Sequence, residues 1–77
     1  MFVNAQLADT GDRISLDVDD IRETDEIVWM DPNDPERRQT RTRVTLDDGT
    51  VHEFFCSQAA FDAAAATAKR TGTVQSV

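Results

Sequence analysis

With 77 residues, fifteen acidic and eight basic, the chain has room for one domain and a formal charge of -7, which disfavours unaided attraction to nucleic acid or anionic lipid. A chain of this length buries only about 60% of the surface its unfolded form exposes, so its core is thin and a closed ligand cavity is hard to fit inside it. The lone Cys56 excludes an internal disulfide and a cysteine-cluster zinc site, and no apolar run approaches the roughly 20 residues of a membrane span.

The opening Met-Phe-Val-Asn-Ala-Gln lacks the basic flank and apolar stretch of a signal peptide, so a cytoplasmic setting is expected. Residues 2 to 8 and 13 to 18 flank the turn cluster Asp9-Thr10-Gly11-Asp12, and Ile14, Leu16 and Val18 alternate with polar residues, which predicts a first hairpin. Asp19-Asp20 breaks the alternation. Ile21 begins a short turn or helical segment, and Glu26 to Met30 reads as a third strand centred on Val28. Asp31-Pro32-Asn33-Asp34-Pro35 ends that strand, because each proline lacks a donor N-H and pushes its predecessor into an extended conformation; residues 31 to 36 are expected to form a polar, mobile loop.

The clearest local signal is Arg41 to Leu46, then Asp47-Asp48-Gly49, then Thr50 to Cys56, an Asp-Gly turn between two β-rich runs. A three-residue loop would set Val44 opposite His52 and Arg43 opposite Glu53. It is preferred over a two-residue turn because it gathers Val44, Leu46 and Phe54 on one face and pairs charges on the other. Ser57 supplies an N-cap oxygen for an alanine-rich helix over Gln58 to Arg70, with Lys69 and Arg70 at its negative end and Gly72 as the stop. Phe61, Ala64, Ala65 and Ala68 form its buried stripe.

These elements add up to an α+β fold: a small twisted antiparallel sheet of four to five strands with one C-terminal helix packed on one face. Residues 1–72 make the domain and 73–77 a frayed tail. The expected core is Val3, Leu7, Ile14, Leu16, Ile21, Ile27, Trp29, Val44, Leu46, Phe54, Phe61 and the alanines of the last third.

The run Leu16-Asp17-Val18-Asp19-Asp20-Ile21, the acidic stretch after it, Thr42 to Gly49 and the capping Ser57 together resemble the small FlbD-like flagellar and swarming-motility family, loosely over residues 14 to 66. The resemblance implies a twisted antiparallel sheet with a C-terminal helix, and a structural or regulatory adaptor role. It brings no catalytic residues.

Catalysis finds little to work with. His52 is the only histidine, and the four residues separating it from Cys56 span about 13 Å in an extended strand, too far for a nucleophile and its base. Asp31-Pro32-Asn33-Asp34 fails as a calcium loop, since Glu36 and Thr42 stand where an EF-hand needs glycine and glutamate. No enzyme, metal or cofactor is expected. The basic run Arg37, Arg38, Arg41 and Arg43 reads first as neutralisation of the acidic half or protection of an edge strand, and only second as a phosphate grip; direct nucleic-acid binding is not expected.

Residues 1 to 36 hold eleven acids and two bases, whereas residues 37 to 77 hold six bases and four acids. Carboxylates on alternate strand residues, such as Asp17 and Asp19, would stand about 6.7 Å apart on one face and meet several Lys or Arg side chains at once. Such a surface fits a groove built for a nucleic-acid backbone, as in phage-encoded inhibitors of bacterial defence, anti-CRISPR and anti-restriction proteins among them. The alternative is that the acids merely keep the protein soluble. The expected activity is therefore binding of a protein partner with a basic surface through Asp17, Asp19, Asp20, Glu23, Asp25, Glu26 and Trp29, by a monomer or homodimer. An adaptor that self-associates or binds a partner through a strand edge is the rival.

Overall fold

The two alternating runs at the start of the chain pair as expected. In a computed structural model describing all 77 residues, β1 (Phe2–Gln6) and β2 (Arg13–Asp17) form an antiparallel hairpin with Val3 opposite Leu16 and Ala5 opposite Ile14. The alternation then stops one residue early. The Asp17 carboxylate accepts the Asp19 N-H at 3.1 Å and caps a single 3-10 turn, Val18–Asp20. A short acceptor side chain here gives the backbone a local partner in place of a ladder partner. Asp17 and Asp19 consequently do not share a strand face.

β3 (Ile21–Asp31) and β4 (Asp34–Leu46) make one long antiparallel hairpin, so the strand expected at residues 26 to 30 is only its outer half. The segment expected to be a loop is a tight turn at Pro32-Asn33 and the first residues of β4. Two aspartates hold it: Asp31 accepts the Asn33 N-H at 2.9 Å and Asp34 the Glu36 N-H at 3.1 Å. Pro35 falls where the register slips between Met30 and Asp31, at an irregularity that tolerates a missing donor.

β5 (Val51–Phe54) returns along β4 with Val44 opposite His52 and Arg43 opposite Glu53, the register that charge and burial favoured. Gly49, at φ 88°, makes the reversal that a side chain would strain. The helix α1 (Gln58–Thr71) starts where the Ser57 hydroxyl accepts the Ala60 N-H at 3.1 Å. It ends where Gly72, at φ 70°, donates to the Ala68 carbonyl at 2.8 Å. It is not long and apolar enough to cross a membrane.

The strands form two three-stranded sheets, β2-β1-β6 and β3-β4-β5, rather than one sheet of four to five. The cause lies at the C-terminus. Gln75 and Ser76, expected to fray, form β6 parallel to β1, and Val77 donates to the Asn4 carbonyl at 2.9 Å. With β2 on one edge and β6 on the other, β1 has no free edge for β5. The sheets meet only past Gln6, through a Leu7–Phe54 bridge and the bonds Ala8 N-H to Glu53 O (2.8 Å) and Phe55 N-H to Gln6 O (3.0 Å).

The core gathers where both sheets meet α1: Val3, Ala5, Leu16, Val44, Phe54, Phe61 and Ala68 are buried, and the rings of Phe54 and Phe61 stack at 5.7 Å. Ile27 is only half-buried and Trp29 is exposed, so neither is a core residue. They lie on the distal half of the β3–β4 hairpin, which carries the molecule to 42 × 22 × 20 Å. No other element packs over the tip of that arm.

Candidate protein-docking surface

Cross-strand register fixes which way each arm residue faces, since directly paired residues project from the same side of a sheet. Thr24 and Glu26 pair with the buried Val44 and Thr42 and so face the helix side; Val28 and Met30 continue that face beyond the helix. Glu23, Asp25, Ile27 and Trp29 share the other face with Thr45, Arg43, Arg41 and Gln39.

The helix start ties down the first face. Gln58 donates its backbone N-H to Glu26 Oε1 at 3.2 Å and its amide to the Thr24 carbonyl at 2.8 Å, while the Thr24 hydroxyl donates to Asp62 at 2.8 Å. Glu26 therefore complements the positive end of the α1 dipole as well as facing solvent.

The second face is organised by Arg41, a residue that the sequence marks only as one base in a basic run. Its side chain is 9% exposed. The guanidinium lies 4.6 Å from the Trp29 ring centre and 5.4 Å from that of Phe55, and its Nε donates to Gln39 at 3.0 Å. Asp9 and Glu53 approach it at 3.8 and 4.0 Å. Both pairs are long, and Asp9 is largely exposed, so ring stacking and packing hold this cluster more than ion pairing does. Trp29 is thereby fixed as the flat outer layer of a cation–aromatic stack.

The six expected docking carboxylates divide into three groups. Asp17, Asp19 and Asp20 ring the 3-10 turn, Glu23 and Asp25 stand on one face of β3, and Glu26 stands on the other. None of them makes an ion pair, although β4 alongside carries four arginines. The only ion pairs join Arg37 to Asp31 (4.0 Å) and Arg41 to Asp9 and Glu53. Arg43 lies opposite Asp25 on one side and Glu53 on the other without closing on either.

Beside the turn, an open groove of about 310 Å³ runs between the start of β3 and α1, with Val18, Ile21, Phe61 and Ala65 in its lining and Arg22 and Lys69 among its polar groups. No three His, Cys, Asp or Glu side chains converge in a way that could hold a metal ion. Burial pushes the Cys56 thiol above its ordinary range, against a smaller lowering by the Thr42 hydroxyl, which leaves it a poor nucleophile near neutral pH. Compared with protein-family models, curated proteins and solved structures, the chain matches none.

Proposed function

We propose that this chain is a non-catalytic, cytoplasmic protein-binding module that docks on a basic, nucleic-acid-handling surface of its target and occludes it by carboxylate mimicry, as phage-encoded anti-CRISPR proteins do. One observation carries the reading. Asp17, Asp19, Asp20, Glu23, Asp25 and Glu26 all stay out of ion pairs with the chain's own arginines, and only Asp17 and Glu26 accept a backbone N-H, so no cation of the chain neutralises them. Charge of this kind steers a cationic target and releases counterions on contact, as a polyanion does. Trp29 supplies an aromatic anchor further along β3, on the face that Glu23 and Asp25 share.

Affinity purification across a salt series tests the reading. A basic partner should be retained at low salt and released steeply as salt rises, and the variant D19N/D20N/E23Q/E26Q should lose it. Retention by that variant at wild-type strength removes the acidic surface from the function.

A second reading, an adaptor of the FlbD-like kind, draws on a different observation: Val28 and Met30 are more than half exposed on the arm. It expects salt-tolerant self-association, and a strict monomer in sedimentation at high concentration would count against it.

A further inference from the structure

The outer edge of β3 is bare. β3 terminates its sheet, and no backbone hydrogen bond outside the regular helix and strand ladders reaches residues 21 to 31. Apart from the Ile21 N-H on the Val18 carbonyl and the Gln58 amide on the Thr24 carbonyl, the outward backbone groups of this 11-residue strand have no partner. Natural edge strands are blunted by charge, proline or bulges. Here those devices sit at the two ends, with acids at residues 23 to 26 and Pro32 beyond the strand, and they spare Ile27-Val28-Trp29-Met30 between them. Within that stretch Val28 is 63% and Met30 52% exposed.

We propose that this edge is a strand-addition site, and that its occupant is an extended Lys- or Arg-rich segment of the partner protein. The segment lies antiparallel to β3, with bases beside Glu23, Asp25 and Glu26 and apolar side chains beside Ile27 to Met30. The inference rests on the acidic-surface reading and adds to it the mode of recognition. Charge selects the occupant. A second copy laid edge to edge on β3 brings together two strands that each carry Glu23, Asp25, Glu26 and Asp31 against the single base Arg22, in chains of net charge -7 that repel each other. A basic strand is what β3 already accepts on its inner edge, where Arg43, Arg41 and Arg38 lie opposite Asp25, Ile27 and Met30. Because Glu23 and Asp25 project from one face and Glu26 from the other, bases at successive positions of an added strand find carboxylates on both sides.

The probe is a peptide of sequence Val-Thr-Val-Thr-Lys-Arg-Thr-Lys, blocked at both ends and added to the intact protein; lying antiparallel to β3, its apolar first half meets Ile27 to Met30 and its basic second half meets Glu23 to Glu26. It carries no tryptophan, so Trp29 fluorescence reports the complex. Saturable binding is expected, with slowed hydrogen exchange at the β3 amides that do not face β4. The same peptide N-methylated at alternate residues keeps its charge but loses its edge donors, and it should bind about tenfold more weakly or worse.

Equal binding of the N-methylated peptide overturns strand addition while leaving the acidic surface standing. Undiminished binding to E23Q/D25N/E26Q, with the N-methyl loss intact, overturns the role of the acids. No binding at millimolar peptide overturns the proposal, as does protection of the β3 edge by self-association in the absence of peptide.

Discussion

Val44 and Val28 are the same residue type on adjoining strands of one hairpin, yet the first is fully buried and the second is 63% exposed. At the base of the molecule two sheets and a helix close on Phe54 and Phe61, while at the tip two strands hold their side chains with no third layer. A two-stranded ribbon is marginal by itself in water, so the tip borrows its order from the base, chiefly through the Arg41 stack. The base holds the core and the arm carries exposed side chains without one. Their responses to substitution should differ accordingly.

The largest effect is expected at the base. Phe61→Ala removes a fully buried ring stacked on Phe54 and should cost about 3–5 kcal/mol, a large share of the total stability of a small domain, leaving the chain mostly unfolded in a urea titration. Ser57→Ala, which deletes the α1 cap, should cost about 1 kcal/mol in the same measurement.

Arg41→Met would sharpen the contrast. It should loosen the arm by roughly 1–2 kcal/mol, read as faster hydrogen exchange at residues 27 to 31 and 38 to 41, with amides around Phe54 and Phe61 unchanged. Acceleration throughout the molecule would mean that arm and base form one cooperative unit. Met30→Thr, on the uncovered face, should shift stability by no more than about 0.5 kcal/mol.

The smallest effect concerns the β4–β5 turn. The Thr50 backbone N-H, with the Thr50 hydroxyl behind it, holds the Asp48 carboxyl below its ordinary value of 3.8. A depressed folded-state value means that this contact stabilises the fold above pH 3.8 and is lost as pH falls through the lower value. Titration of the Asp48 carboxyl resonance should show the low midpoint in the wild type and its return toward the ordinary range in Thr50→Pro. An ordinary midpoint in the wild type would remove the contact.

Expectations succeeded where the controlling interaction was local. Ser57, the alanine run and Gly72 specify a helix within a few residues of chain, and Asp47-Asp48-Gly49 selects the register of its own hairpin. They went astray where a distant segment decided. Trp29 looks like a core residue by hydrophobicity alone, and only the register of β3 on β4, which turns it to the face opposite α1 with Arg41 beneath it, leaves it outside. Arg41 was legible as a base, but its burial against Trp29 and Phe55 depends on two other segments arriving there.

The amino-acid sequence by itself determined the α+β character, the strand at each alternating run, the caps and turns, and the excess of acid in the first 36 residues, because propensity, periodicity and charge act over a few residues. Tertiary structure alone decided that the strands split into two sheets, that the last residues join β1, and that the edge of β3 stays open with its carboxylates unpaired. Each of these depends on which edge is already occupied when distant segments meet, and no local pattern encodes that competition.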